Sequence, residues 1–214
     1  MKYSVDFAKT LAETYIQVKT ISHIGSGNHS DAFLLNDKYV IKIPKHKTAS
    51  DCLKKEIKVL KGIEGKITLN IPNVLYSGTF VFYNQEFTFF ISSLIKGKKL
   101  SKTEFVDLSE QCKDINATKL ANFLIELHRQ KSILNIKRKD LCLLHGDFSL
   151  GHCLFGEDNI VCGVLDFGDS RSGKPQSDFI YLLDDEDDEE FGIKFGNKVL
   201  ELYNKLKVKN EDII

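Results

Sequence analysis

Leu144-His145-Gly146-Asp147-Phe148-Ser149-Leu150-Gly151-His152 sets a carboxylate two residues past a histidine and places another histidine five residues beyond that carboxylate. Nineteen positions after its start comes Gly163-Val164-Leu165-Asp166-Phe167-Gly168-Asp169. Transfer of a phosphoryl group to a hydroxyl needs two carboxylates with separate tasks. One accepts the proton of the attacking hydroxyl, and the other holds the magnesium that bridges the nucleotide phosphates. Asp147 and Asp166 are the candidates for those two tasks. Each segment alone has an ordinary reading, the first as a turn and the second as a strand end. Both together, in this order and at this spacing, select the chemical reading.

Outward from these segments the pattern changes from sheet to helix. Phe7, Leu11, Tyr15 and Val18 recur at helical spacing and predict an opening helix over about residues 4–19. Ile21–Ile24, Ala32–Leu35 and Tyr39–Ile43 read as strands. Asn36-Asp37 lies between the last two as a hairpin turn. After Pro44 a helix is predicted from Ser50, taken as its N-cap, to Lys61, with Leu53, Ile57 and Leu60 on one face. Val74–Tyr76 and Phe87–Ile91 complete a five-stranded sheet, and Ser92-Ser93 reads as a hinge. Beyond it, Thr118–Arg129 and about 191–207 are amphipathic helices.

The N-terminal half holds candidates for nucleotide contacts. Gly25-Ser26-Gly27-Asn28-His29-Ser30-Asp31 falls between two predicted strands, where small residues let backbone N–H groups approach phosphate oxygens. Ser26 and Gly27 are its candidate contacts, and an ordinary hairpin is equally consistent with the loop. Lys42 lies within the apolar run Val40-Ile41-Lys42-Ile43, where a lysine requires a partner. Glu56 on the next helix can supply it, although Lys54, Lys55 and Lys58 also fit a plain solvated face. An apolar strand running into Ile91-Ser92-Ser93-Leu94 suits a flat base held by backbone groups, with Ser92 and Leu94 as contacts. Side chains there are too small to enforce a choice, so ATP and GTP are both expected.

Composition excludes several alternatives. Thirty basic and thirty acidic residues cancel over 214, so no global field draws the chain to nucleic acid or an anionic membrane. Five cysteines without C-x-x-C spacing read as reduced thiols rather than a zinc site or disulfide framework. No apolar run reaches membrane-span length, and the N-terminus lacks a signal-peptide stretch. A cytoplasmic monomer is expected, with export by a signal-independent route left open.

The quoted motifs resemble the aminoglycoside phosphotransferase family, above all its 2″-phosphotransferase branch. His145-Gly146-Asp147-Phe148-Ser149-x-x-His152 has histidine where protein kinases carry asparagine. Gly163–Asp169, Ser177-Asp178-Phe179-Ile180, Asn70–Val74 and Ile95-Lys96-Gly97 extend the likeness. The resemblance implies an α+β, two-lobed protein-kinase-like fold. Residues 1–93 would form an N-lobe with a five-stranded antiparallel sheet and a helix, and 94–214 a reduced, mostly helical C-lobe. It further implies Mg²⁺, ATP or GTP, Asp147 as base, Lys42 as phosphate contact, and His152 and Asp166 on the metal side, with Leu165 assigned to the nucleotide. Imidazole is a poor magnesium ligand. His152 is therefore expected to reach phosphate, or to neighbour the metal through water, unless it is a hydrogen-bonded structural residue.

The acceptor is less determined. Family members carry a long helical insertion where this chain has only Arg129–Leu144, and further helices beyond the one at 191–207. Asp184–Glu190 is an unbroken acidic run, read either as a solvated loop or as a rim that attracts a polycation. The resemblance places acceptor contacts near Glu189 and Glu190, and Asp188 beside them in the run is a further candidate. Three readings stand: a kinase for a small cationic, aminoglycoside-like molecule; a compact kinase acting on Ser, Thr or Tyr of a protein; and a catalytically inactive binding module, against which Lys42, Asp147 and Asp166 count.

Overall fold

The computed structural model describes residues 3–184, 186 and 190–211, without the side chains of 209–211. The chain packs as two compact units, Met1–Lys61 with Pro72–Leu94, and Gly62–Ile71 with Ile95–Ile214.

In the first unit α1 (Val5–Glu13) precedes β1 (Ile21–Ser26), β2 (Ser30–Leu35), β3 (Tyr39–Pro44), α2 (Lys47–Ile63), β4 (Val74–Phe82) and β5 (Gln85–Ser93). The strands form one five-stranded sheet in the order β1-β2-β3-β5-β4, antiparallel throughout. Alternation in β2 buries Asp31, Phe33 and Leu35 on one face. Phe33 and Leu35 join Ile41, Ile43, Phe89, Ile91 and Ala8 and Ala12 of α1 in one apolar core.

The expected β2–β3 turn is present, with Asn36 and Asp37 both at positive φ (53° and 54°). A second such turn at Tyr83-Asn84 (48° and 57°) lengthens the β4–β5 hairpin beyond the expected strands. Two helix starts and stops differ from expectation. α1 ends at Glu13, before the poor helix formers Thr14, Tyr15 and Ile16. α2 begins at Lys47 rather than after Ser50, because the Nδ1 of His46 accepts the N–H of Ala49. Ser50 sits inside the helix instead, its hydroxyl accepting the Thr88 N–H at 2.8 Å.

The second unit contains α3 (Lys102–Val106), α4 (Glu110–His128), β6 (Cys142–Leu144), β7 (Cys153–Phe155), β8 (Val161–Val164), β9 (Arg171–Gly173) and α5 (Ile193–Glu211). α4 starts eight residues before the expected Thr118, capped by the Ser109 hydroxyl on the Cys112 N–H. Between α4 and β6, residues 129–141 hold a single 3₁₀ turn, Lys131–Leu134. β6 pairs with β9 and β7 with β8, each antiparallel. Phe123, Phe148, Phe167 and Phe191 are buried beneath these short ribbons, with Phe123 and Phe148 stacked at 5.4 Å. All five cysteines are free thiols. Among the described residues no helix is long and apolar enough to cross a membrane.

Candidate active site

β6 delivers the chain into His145-Gly146-Asp147, and β8 delivers it into Leu165-Asp166. Gly146 has φ 92°, and a Cβ there would lie 2.2 Å from the carbonyl oxygen of Asp169, so only glycine lets the two loops approach. His145 joins them chemically. Its Nδ1 lies 3.4 Å from the Asp147 N–H and its Nε2 3.0 Å from the Leu165 carbonyl. Those partners assign the Nε2–H tautomer. The ring is fully buried, and burial holds its pKa below the ordinary histidine value, so it is neutral at pH 7.

His152 stands between the two candidate carboxylates. Its Nδ1 donates to the Asp147 carbonyl at 2.8 Å and lies 3.8 Å from Asp147 Oδ2. Its Nε2 lies 3.9 Å from Asp166 Oδ2. With Nδ1 committed as donor, a neutral ring turns the Nε2 lone pair towards the Asp166 side. Asp166 takes the left-handed conformation (φ 64°), and its side chain is 45% exposed. A non-glycine residue held at positive φ is a constraint associated with functional loops. Leu165 is half-buried, and its N–H donates to the His152 carbonyl at 2.9 Å.

The group that organises this cluster is Asp178, which sequence reading quoted only as part of a family motif. Its carboxylate accepts the N–H of His145 at 2.8 Å and of Gly146 at 2.9 Å, and contacts His128 Nε2 at 3.0 Å. His128 Nδ1 in turn meets the Tyr203 hydroxyl at 2.9 Å. Burial alone would push the Asp178 carboxyl up. The hydrogen bond and charge of His128, with the Gly146 N–H, reverse that and hold it below the usual carboxylate value. Arg171 adds an outer tie through Nη1 to the Gly146 carbonyl at 2.9 Å. A lone aspartate 31 residues after Asp147 carries no local signal of this role, because its partners lie on α4, α5 and the loop itself.

In the first unit Lys42 and Glu56 form an ion pair, Nζ to Oε2 at 2.8 Å and to Oε1 at 3.1 Å, with Glu56 buried. The glycine-bearing turn is tied down by Asp31, which is fully buried and accepts from Ser26 Oγ at 2.7 Å and the Tyr3 N–H at 2.9 Å. Lys45 donates to Ser26 Oγ at 2.6 Å and to the Gly27 carbonyl. Ser26 is thus occupied by the protein, and Gly27 is exposed. Ser92 is buried within the sheet. The Ser93 N–H donates to Asn73 O at 2.9 Å and the Leu94 N–H to Lys38 O at 2.8 Å, so neither donor is left for a base. Of the acceptor candidates, Glu190 is buried and Asp188 and Glu189 lie outside the described residues.

A metal ion placed here has one well-presented carboxylate, Asp166, with His152 beside it. Among the described residues no three His, Cys, Asp or Glu side chains form a group able to hold a metal. That donor set fits magnesium, which binds through one or two carboxylates together with substrate phosphates and water rather than in an all-protein cage.

Residues 133–207 match the model of the phosphotransferase enzyme family. The structure is similar to the gentamicin complex of APH(2″)-IIa, with TM-score 0.78 and 26% identity over 95% of this chain and 82% of that one. It is similar also to ADP-bound aminoglycoside phosphotransferase APH(2″)-Ib, with TM-score 0.76 and 27% identity over 94% and 82%. The fold of the GDP and kanamycin complex of APH(2″)-IIIa matches at TM-score 0.79 and 22% identity over 94% and 83%. Residues 133–207 thus resemble the phosphotransferase enzyme family, and the chain has the kinase-like fold of the aminoglycoside 2″-phosphotransferases and is an enzyme that transfers phosphate to a hydroxyl group.

Proposed function

We propose that this enzyme moves the γ-phosphate of ATP or GTP, with Mg²⁺, to a hydroxyl of a small cationic, aminoglycoside-like molecule. The observation that carries the reading is the placement of Asp147 and Asp166 on opposite sides of the His152 ring, at 3.8 Å and 3.9 Å. Asp147 follows a loop whose backbone is anchored by Asp178 and is set to orient the acceptor hydroxyl. As the new O–P bond forms and the bond to the β-phosphate oxygen breaks, the hydroxyl proton passes to the Asp147 carboxylate and the nucleoside diphosphate departs. Magnesium bound by Asp166 would neutralise charge on the β- and γ-phosphates. In the first unit, Lys42 held by Glu56 would contact the α- and β-phosphates, with Gly27 on the phosphate side. Relatives with ADP, or with GDP and kanamycin, support a nucleotide donor and a cationic acceptor.

Asp166→Asn should weaken ADP binding only when Mg²⁺ is present. Calorimetric titration of ADP with and without the ion checks this, and an unchanged metal-dependent gain in affinity would remove Asp166 from the role.

The acceptor is tested by γ-labelled ATP and GTP incubated with the protein alone, with an aminoglycoside panel and with cell lysate. Label on an aminoglycoside is the expected result. Label on a lysate protein, with none on the antibiotics, would transfer the function to the alternative of a compact protein kinase. Because exposed carboxylate contacts are screened over about 8 Å at physiological salt, aminoglycoside affinity should fall steeply as salt rises. Glu190 is buried, so Asp188→Asn with Glu189→Gln is the double variant that should weaken acceptor binding and leave nucleotide hydrolysis intact. Salt-insensitive binding, unchanged in that variant, would show that the acidic run takes no part.

A further inference from the structure

A cavity of about 460 Å³ opens in the second unit among the C-terminal end of α4, residues 139–142, residues 174–176 and α5. None of Asp147, His152 and Asp166 lines it. Its volume is in the range of small-molecule sites, about 300–1,000 Å³. Ile125, Leu141, Cys142 and Pro175 supply apolar surface, and Arg129, Lys131, Lys139, Lys174 and Lys207 supply five cations. Asp140 is the one acid among the lining residues, and Arg138 already holds its carboxylate through two bonds of 3.0 Å and 2.7 Å. Lys131 is pinned by donating to the Lys139 carbonyl at 2.9 Å. Burial, with Asp178 behind it, pushes the Cys142 thiol up to about 12, so the thiol adds no negative charge.

In a chain with thirty acids and thirty bases, five cations around one cavity is a local concentration that composition does not predict. Like charges around one space repel unless an anion lies between them. The same field repels a polycation, so this is not the site of an aminoglycoside-like acceptor. We propose that the cavity is a second ligand site, for an organic monophosphate that carries a flat apolar body. The apolar body would lie on Ile125, Leu141 and Pro175. The phosphate dianion would sit among Arg129, Lys139 and Lys174, each a donor with no acceptor function and suited to phosphate oxygens.

The cavity backs onto the loop supports, since His128 and Tyr203 line it, but none of Asp147, His152 and Asp166 does, and its test reads ligand binding rather than turnover. The full chain, methyl-labelled at Ile and Leu, is titrated with 2-naphthyl phosphate and, separately, with inorganic phosphate. The Ile125 and Leu141 methyl resonances should shift and saturate with a dissociation constant of about 1 mM or tighter. Inorganic phosphate should bind at least about tenfold more weakly, because it lacks the apolar body. Reversing three exposed charges, Arg129→Glu with Lys139→Glu and Lys174→Glu, should raise the 2-naphthyl phosphate constant at least about tenfold without changing the melting temperature. If the triple variant folds poorly, Lys139→Glu alone should weaken binding severalfold. Methyls that do not respond, an equal response to inorganic phosphate, or an unchanged constant in the charge-reversed proteins would overturn the site.

Discussion

Asp147→Asn should reduce turnover on the true acceptor by about 10²–10⁴-fold and leave nucleotide affinity unchanged. The substitution keeps size and shape and removes the carboxylate charge. The loop itself does not depend on that carboxylate. Asp147 donates its N–H to His145 and accepts His152 Nδ1 on its carbonyl, so both backbone bonds survive in the variant. The loss should therefore appear in kcat, with the KM for nucleotide little altered. His152 offers a control. His152→Ala removes a ring bonded to the Asp147 backbone and standing near Asp166, and should disturb both kcat and metal-dependent nucleotide affinity. Near-full activity of Asp147→Asn would remove the base from this position and leave the loop as a positioning element.

The two units differ in how far their residues announced them. Period-two apolar alternation and the Asn36-Asp37 turn made the sheet readable, because both are local patterns. The catalytic segments were readable for the same reason: His145, Asp147, His152 and Asp166 lie within two short runs whose spacing is itself the signal. Lys42 and Glu56 are farther apart, and only the need of a lysine in an apolar run for a counter-charge suggested that they pair. The supports were not readable. Asp178, His128 and Tyr203 come from three separate stretches, and each alone resembles an ordinary core or helix residue. Asp31 sat within the quoted glycine turn, but its link to Ser26, Lys45 and the Tyr3 N–H depends on folding of α1 against the sheet. The end of α1 and the start of α2 were misplaced because a His46 ring capped one and weak propensity stopped the other. Helix boundaries of this kind turn on single side chains.

Asp178→Ala should destabilise the protein by about 3–5 kcal/mol, the usual loss when one member of a buried, hydrogen-bonded pair is removed. The His145 and Gly146 N–H groups and His128 Nε2 would lose the carboxylate they share. At about 2–4 °C per kcal/mol for a chain of this size, the melting temperature should fall by about 6–20 °C. The pH dependence separates this charge-based role from simple packing. The folded-state pKa of Asp178 lies below its unfolded value, so its stabilisation is present above about pH 4 and is lost as pH falls through the folded value. His145 acts in the same direction from a higher starting point: burial depresses its pKa, so its contribution is present above about pH 6.5 and declines below it. In Asp178→Ala the decline below pH 6.5 should persist and the further decline below pH 4 should flatten. Asp178→Asn fills the same space, but its amide nitrogen would face donors where an acceptor is needed. It should therefore recover part of the melting temperature and little of the turnover, because Gly146 would no longer be held where it carries Asp147. Thermal scans from pH 3 to 8, paired with kcat for both variants, would decide the matter. Identical acid slopes in variant and parent, or full activity in Asp178→Asn, would show that the buried carboxylate fills space and does not position the catalytic loop.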